Sequence, residues 1–328
     1  MGLSDRLDRF QQRHPAAGFP LAVGYKYFDD SGGYLAALIA YYGFVSLFPL
    51  LLLLATVLGI VLSGHPDLQH RVLGSALRQL PVIGSQLGDP HQIGGGWKGL
   101  TVGIAGSIYG GLGIAQATQF AMNTAWRVPR NSRPNPLLAR ARSLLLLGTA
   151  GLAVIGTTIL STLGSSGAGS LGLLLKILAL LASVLLNAAV FVLGFRLATA
   201  RDLSVREVAP GAVTGAVLWQ LLQTFGVFYV RHAVRNASAT NGVFAIVLGL
   251  LAFLYLSAVV VVLCVEINTV LVDDLHPRAL LTPFTDNVSL TPGDRAAYTG
   301  QATAQRSKGF EEVEVSFDQA ERPTDDEP

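Results

Sequence analysis

Charge is scarce in this chain. Asp, Glu, Lys and Arg make up 13% of its 328 residues, against roughly 25% in soluble domains. The charges sit in short stretches between long apolar runs, and 51% of the residues are hydrophobic. That distribution argues against a soluble domain and for a polytopic membrane protein. A net charge of +2 gives no bulk attraction for nucleic acid, so no nucleic-acid partner is expected. One cysteine, Cys264, excludes an intrachain disulfide. Residues 1–30 carry Arg6, Arg9, Arg13, Lys26 and four Asp without an apolar core, so they do not read as a signal peptide. Catalytic signatures are missing too. There is no nucleophile elbow, Walker loop, HExxH or paired-carboxylate motif. The six histidines lack metal-ligand spacing. The expectation is a protein with no enzymatic activity, no cofactor and no metal.

What the chain has in abundance is apolar length. The run from Gly33 to Gly59 contains no charge and exceeds the roughly 20 residues that cross a bilayer. Pro49 near its middle removes a backbone donor and frees the carbonyl of Val45. Ser46 is the nearby hydroxyl that could satisfy it. Six spans are expected, at 34–62, 99–122, 143–164, 171–195, 208–231 and 242–272. The fold class is therefore all-α, a bundle of six transmembrane helices. In the first outer loop, Leu68, Val72, Leu73, Leu77 and Leu80 recur opposite Arg71 and Arg78, which predicts a short interfacial helix ended by Pro81. The run SSGAGS joins spans three and four as a tight hairpin. Three regions follow: a cytoplasmic amphipathic segment over 1–30, the membrane domain over 31–275, and an acidic, disordered cytoplasmic tail over 276–328. Leaving the tail aside, an inside N-terminus places twelve Lys and Arg inside and six outside. That asymmetry predicts both termini on the cytoplasmic side.

Four patches carry a family resemblance. They are AALIAYYGFVSLFPLLLLLATVLG in span one; Ala121 through Val128, followed by Arg130; Pro210-Gly211-Ala212 with Trp219 and Tyr229; and Leu250–Asn268 with Tyr255-Leu256 and Glu266. In these the chain resembles the YihY/BrkB family of bacterial inner-membrane proteins. It departs from the family pattern at Ala252-Phe253 and Cys264-Val265. The resemblance implies a six-helix integral protein of the inner membrane. It also implies a link to envelope integrity, with transport of lipids or other envelope components among the activities ascribed to the family. An older label, ribonuclease BN, also comes with it. A nuclease needs clustered carboxylates or histidines to hold metal at the scissile phosphate, and the cytoplasmic segments offer none.

Several constellations remain. Gly99, Gly103, Gly106, Gly110 and Gly113 draw one small-residue stripe down span two, which predicts close helix packing. Tyr42, Ser46 and Pro49 on span one form candidate walls of a polar cavity open to the cytoplasm. Gln116, Gln119 and Asn123 on span two, Asn187 on span four and Glu266 on span six complete it. Interhelical hydrogen bonding is the alternative account of these groups, and the commoner role of polar residues inside a bundle. Glu266 is the one carboxylate inside an apolar span, and its expected partners are Arg127, Arg142, Arg196 or Arg201. Either an ion pair fixing span six or a role in proton movement would explain it. The basic connection from Trp126 to Arg142 orients the chain and would attract anionic lipid headgroups. The functions expected are transport or flipping of an envelope lipid or solute, or a non-transporting envelope-assembly role.

Overall fold

The computed structural model describes residues 3–61, 96–164, 170–235, 239–285 and 288–317. Among them all regular structure is helical. Two N-terminal helices, α1 (Leu3–Arg13) and α2 (Pro15–Asp29), precede six long ones. These are α3 (Gly32–Val61), α4 (Gly96–Ala125), α5 (Pro136–Gly164), α6 (Ser170–Ala198), α7 (Val205–Arg235) and α8 (Ala239–Val272). A ninth, α9 (Pro292–Ala304), follows. The interfacial helix expected over 68–80 and the SSGAGS turn, save for Ser170 at the start of α6, lie outside the described residues.

The six long helices run 29 to 34 residues, about 44–51 Å at the α-helical rise. Two described stretches, Ile177–Ala198 and Val247–Val272, are long and apolar enough to cross a membrane. Their outer surfaces fit that reading. On α6, Ile177, Leu178, Leu180, Leu181 and Leu185 are all exposed, Leu185 by 70%. Soluble monomers rarely present such a contiguous apolar face.

Each long helix packs on its neighbour in the chain, and α8 returns to α3, so the six close into a ring. The α3–α4 seam shows why. A Cβ at Gly106 would meet the Pro49 ring at 2.7 Å, one at Gly110 would land on the backbone of Ser46, and one at Gly113 on the ring of Tyr42. The pairs 106/49, 110/46 and 113/42 run in opposite directions along the two helices, so α3 and α4 are antiparallel. The stripe is a groove that admits another backbone, which is where van der Waals packing is gained in lipid. Gly103 is buried on the same helix, and Gly99 belongs to α4 as well. On the other side of the ring, Gly211 of α7 faces the Cys264 carbonyl and the Asn268 amide of α8. Its N–H donates to Asn268 Oδ1 at 2.6 Å.

An extended buried core lies at one end of the ring. Met122, Trp126, Phe195, Leu203, Val208 and Val265 are buried together there, where the connections 126–135 and 199–204 turn back. This end also gathers α1, α2 and α9. The first helices do not form a segment apart from the bundle. Ala22 and Val23 of α2 share a core cluster with Val270 and Leu275, and Lys26 is 1% exposed.

The region from 276 onward also departs from the expectation of an unstructured tail. Arg278 is fully buried. Its Nε donates to Asp294 Oδ1 at 2.5 Å and its Nη2 to Asp29 Oδ2 at 3.1 Å. Asp294 also closes a capping box with Thr291 at the start of α9. Burial pulls the Arg278 guanidinium toward lower basicity, but Asp294 and Asp29 outweigh it and hold it above its ordinary value. Composition registers the acidic residues of this region without registering which of them are paired. Residues 318–328 lie outside the description.

Candidate functional site

The ring of helices encloses a chamber of about 450 Å3. All six long helices line it, with Ile39 and Gly43 of α3, Ile114 and Thr118 of α4, Leu147 and Thr149 of α5, Asn187 and Gly194 of α6, Trp219 of α7, and Leu254 and Ser257 of α8. No lining residue is ionisable. The three hydroxyls turn back on their own helices. Thr118 donates to the Ile114 carbonyl at 2.9 Å, Thr149 to Leu146 at 2.8 Å and Ser257 to Phe253 at 2.7 Å. Such back-bonding spends a hydroxyl's donor locally. Asn187 has no hydrogen bond to the protein among the described residues, so its amide, together with the indole N–H of Trp219, gives an otherwise apolar wall its polar groups. At Gly194 an added Cβ would meet nothing within 4 Å, so the wall is open at that point.

The residues expected to form a polar cavity are distributed differently. Asn187 does line the chamber. Tyr42, Ser46 and Pro49 instead fill the seam with α4, and Ser46 Oγ donates to the Gly43 carbonyl at 3.0 Å, not to Val45. Gln119 and Asn123 are buried but committed to structure. Gln119 Nε2 donates to the Ala139 carbonyl at 3.0 Å and to Ser143 Oγ at 2.8 Å. Asn123 Oδ1 accepts the Ala200 N–H at 2.8 Å, while its Nδ2 donates to the Gln119 carbonyl at 2.7 Å. Gln116 is exposed, as is Tyr109 one heptad before it. The turn at 198–200 covers this face of α4 at Asn123 but does not reach back to Gln116.

Glu266 is fully buried, and its partner is none of the four arginines expected. Lys26 of α2 reaches it at 3.2 Å. The same ammonium pairs with Asp30 and donates to the Ala125 carbonyl at 3.0 Å. One cation thus serves two buried carboxylates, and Glu266 Oε1 has no partner among the described residues. Burial pushes the Asp30 carboxyl above its usual range, against the pull of Lys26. An unpaired charge in such a place is costly. The cluster is neutral when one of its carboxyls holds a proton.

Nearby, two of the arginines first assigned to Glu266 share another acid. Arg127 and Arg201 bind Asp273 at 2.5 and 3.0 Å. Arg127 also ends α4 in a left-handed conformation with φ of 51°. The Arg127 N–H bonds to the Thr124 carbonyl and the Val128 N–H to the Asn123 carbonyl, the Schellman pattern. Glycine favours that position, and an L-residue there costs roughly 1–2 kcal/mol. Sequence reasoning missed Lys26 and Asp273. Their spacing of four from Asp30 and seven from Glu266 is the trace they leave in the sequence.

Comparison with known proteins adds the following. Residues 23–283 match the family described as Virulence factor BrkB. The chain is 27% identical over 270 residues to the ribonuclease-like protein YfkH of Bacillus subtilis (strain 168), covering 78% of this chain and 94% of that one. No solved structure matches.

Proposed function

Because the chain belongs to the Virulence factor BrkB family and is an integral membrane protein, we propose that it carries an envelope lipid, or a comparably apolar solute, across the bacterial inner membrane. In this reading α3 to α8 all span the bilayer. The end of the ring that holds α1, α2 and α9 faces the cytoplasm with both termini, since the basic connections gather there.

The observation that carries the proposal is the chamber. Its volume falls in the range of small-molecule sites, roughly 300–1,000 Å3. Its wall suits an acyl chain, and Asn187 offers one hydrogen-bonding group at its side. Nothing on that wall could act as a nucleophile's base or hold a metal, so the reading is binding and movement, not catalysis. The name of the Bacillus relative says ribonuclease-like. Among the described residues no three His, Cys, Asp or Glu side chains group as a metal site, so the proposal does not extend that name to this chain.

The test is reconstitution into liposomes holding a fluorescent phospholipid, with an impermeant quencher reporting exchange between leaflets. Wild type should move lipid faster than empty liposomes. Gly194→Leu fills the chamber at an open position and should abolish movement while leaving the fold intact. Asn187→Leu should slow it. If wild type moves no envelope lipid or solute above background, the carrier reading fails and the envelope-assembly role takes its place.

A further inference from the structure

A second, smaller pocket of about 190 Å3 lies at the end of the ring where α2 meets α3. Arg127, Arg130 and Arg133 line it, with Ser31, Thr124 and Gln305 between them. It is separate from the chamber. Phe120 and Thr124 line this pocket and Thr118 and Met122 the other, and residues two apart on a helix face nearly opposite ways. Asp29 and Asp30 are also on its wall, but each is engaged elsewhere, Asp29 by Arg278 and Asp30 by Lys26.

The arginines are not balanced in the same way. Arg127 is bound to Asp273. Arg130 and Arg133 have no carboxylate partner among the described residues. Arg133 is held over the Phe120 ring at 5.5 Å, its Nε donates to the Val128 carbonyl at 3.2 Å and its Nη2 to the Asn123 carbonyl at 3.5 Å, which leaves Nη1 for a ligand. Burial first, and the charge of Arg130 second, lower its basicity. Three arginines face two aspartates on this wall, so the concave site carries net positive charge, and Arg130 and Arg133 are the two guanidinium groups without a carboxylate of their own. The planar fork of Arg130 matches the oxygens of a phosphoryl group, and Arg133 adds its charge beside it.

We propose that this pocket binds a phosphate-bearing anion between Arg130 and Arg133, with the hydroxyls of Ser31 and Thr124 as further donors. The group would come from an anionic phospholipid headgroup or from phosphate in the cytoplasm. The site does not depend on the carrier reading, because it shares no lining residue with the chamber.

Full-length protein in nanodiscs tests it. One arm measures retention of phosphatidylglycerol against phosphatidylcholine by native mass spectrometry. The other titrates inorganic phosphate into phosphatidylcholine nanodiscs and follows the unfolding temperature. Arg130→Gln should weaken binding about fivefold, the usual worth of one basic group at an anionic surface. Arg130→Lys should lose less. Arg140→Gln, an exposed arginine outside the pocket, should change nothing. Loss confined to the phosphatidylglycerol arm identifies a lipid headgroup, and loss confined to the phosphate arm identifies free phosphate. Either outcome supports the site. If Arg130→Gln leaves both arms at wild-type levels, or if Arg140→Gln weakens binding equally, the proposal is overturned.

Discussion

Lys26→Met and Glu266→Gln remove the two ends of the same buried contact, yet they should differ several-fold in cost. Lys26 is the cation shared by Asp30, Glu266 and the Ala125 carbonyl. Methionine keeps most of its volume and removes its charge, leaving two acids and a carbonyl without a donor. Breaking a buried pair from one side costs about 3–5 kcal/mol. Chains of about 150–250 residues shift by about 2–4 °C per kcal/mol and longer ones by less, so for 328 residues the fall in Tm is at most about 6–20 °C. Glu266→Gln removes the charge that Lys26 cannot neutralise. Its amide oxygen still accepts from Lys26, and its nitrogen faces Asp30, so the cost stays within about 1 kcal/mol. Thermal unfolding of purified protein in one detergent at fixed pH reads both. The double variant should recover part of the Lys26→Met loss, because a single buried acid then remains, and the cycle isolates the coupling. Equal destabilisation by the two single variants would refute the one-cation, two-acid account.

Four further outcomes follow from the same geometry. Asp30→Asn should flatten the pH dependence of stability. A buried carboxyl with a raised folded value contributes fully below its unfolded value near 3.8 and loses that contribution as pH rises through the folded value. The wild-type minus variant Tm should therefore fall with rising pH, and a difference that rises with pH would contradict it. Gly110→Ala should destabilise by about 1–3 kcal/mol through overpacking on Ser46. Gly148→Ala, where an added Cβ meets nothing within 4 Å, should gain about 0.5–1 kcal/mol in the same melting assay. Asn123→Ala strips the acceptor from the Ala200 N–H and should cost about 1–3 kcal/mol, detected as a lower Tm.

The apolar runs and their helices were legible because each is a local property of roughly 30 consecutive residues. The glycine stripe was equally legible, since a spacing of three and four marks a helix face whatever lies against it. The partner on that face was not fully readable. Tyr42, Ser46 and Pro49 looked like cavity walls because polar and proline residues in a span usually mark one, and here they fill the opposing seam. Gln116 and Asn123 share a helix face and differ in burial, since the turn that covers Asn123 comes from residues 198–200. Glu266 announced itself as a carboxylate in an apolar run. The sequence supplied four nearby arginines as candidates, while its partner is a lysine 240 positions away. The same distance hid the order in residues 276–317, where the Leu280 N–H donates to Asp8 and Arg278 pairs with Asp29, both at the opposite end of the chain.

That closure between the two ends has a consequence for biosynthesis. Gln11 Nε2 donates to the Arg278 carbonyl across 267 positions, Arg278 reaches Asp29 across 249, and Lys26 reaches Glu266 across 240. At about 5–20 residues per second, the ribosome needs on the order of 10–50 s to make the partner of Lys26. During that interval the first helices hold a lysine and two aspartates whose burial site does not yet exist. The N-terminal helices must wait beside the nascent bundle and dock when its final helix arrives. A ribosome that stops before residue 266 therefore releases a chain in which α2 has nowhere to settle, with its charge displayed to the cell's quality control. The contacts that seat the N-terminal helices form only once residue 278 has been made.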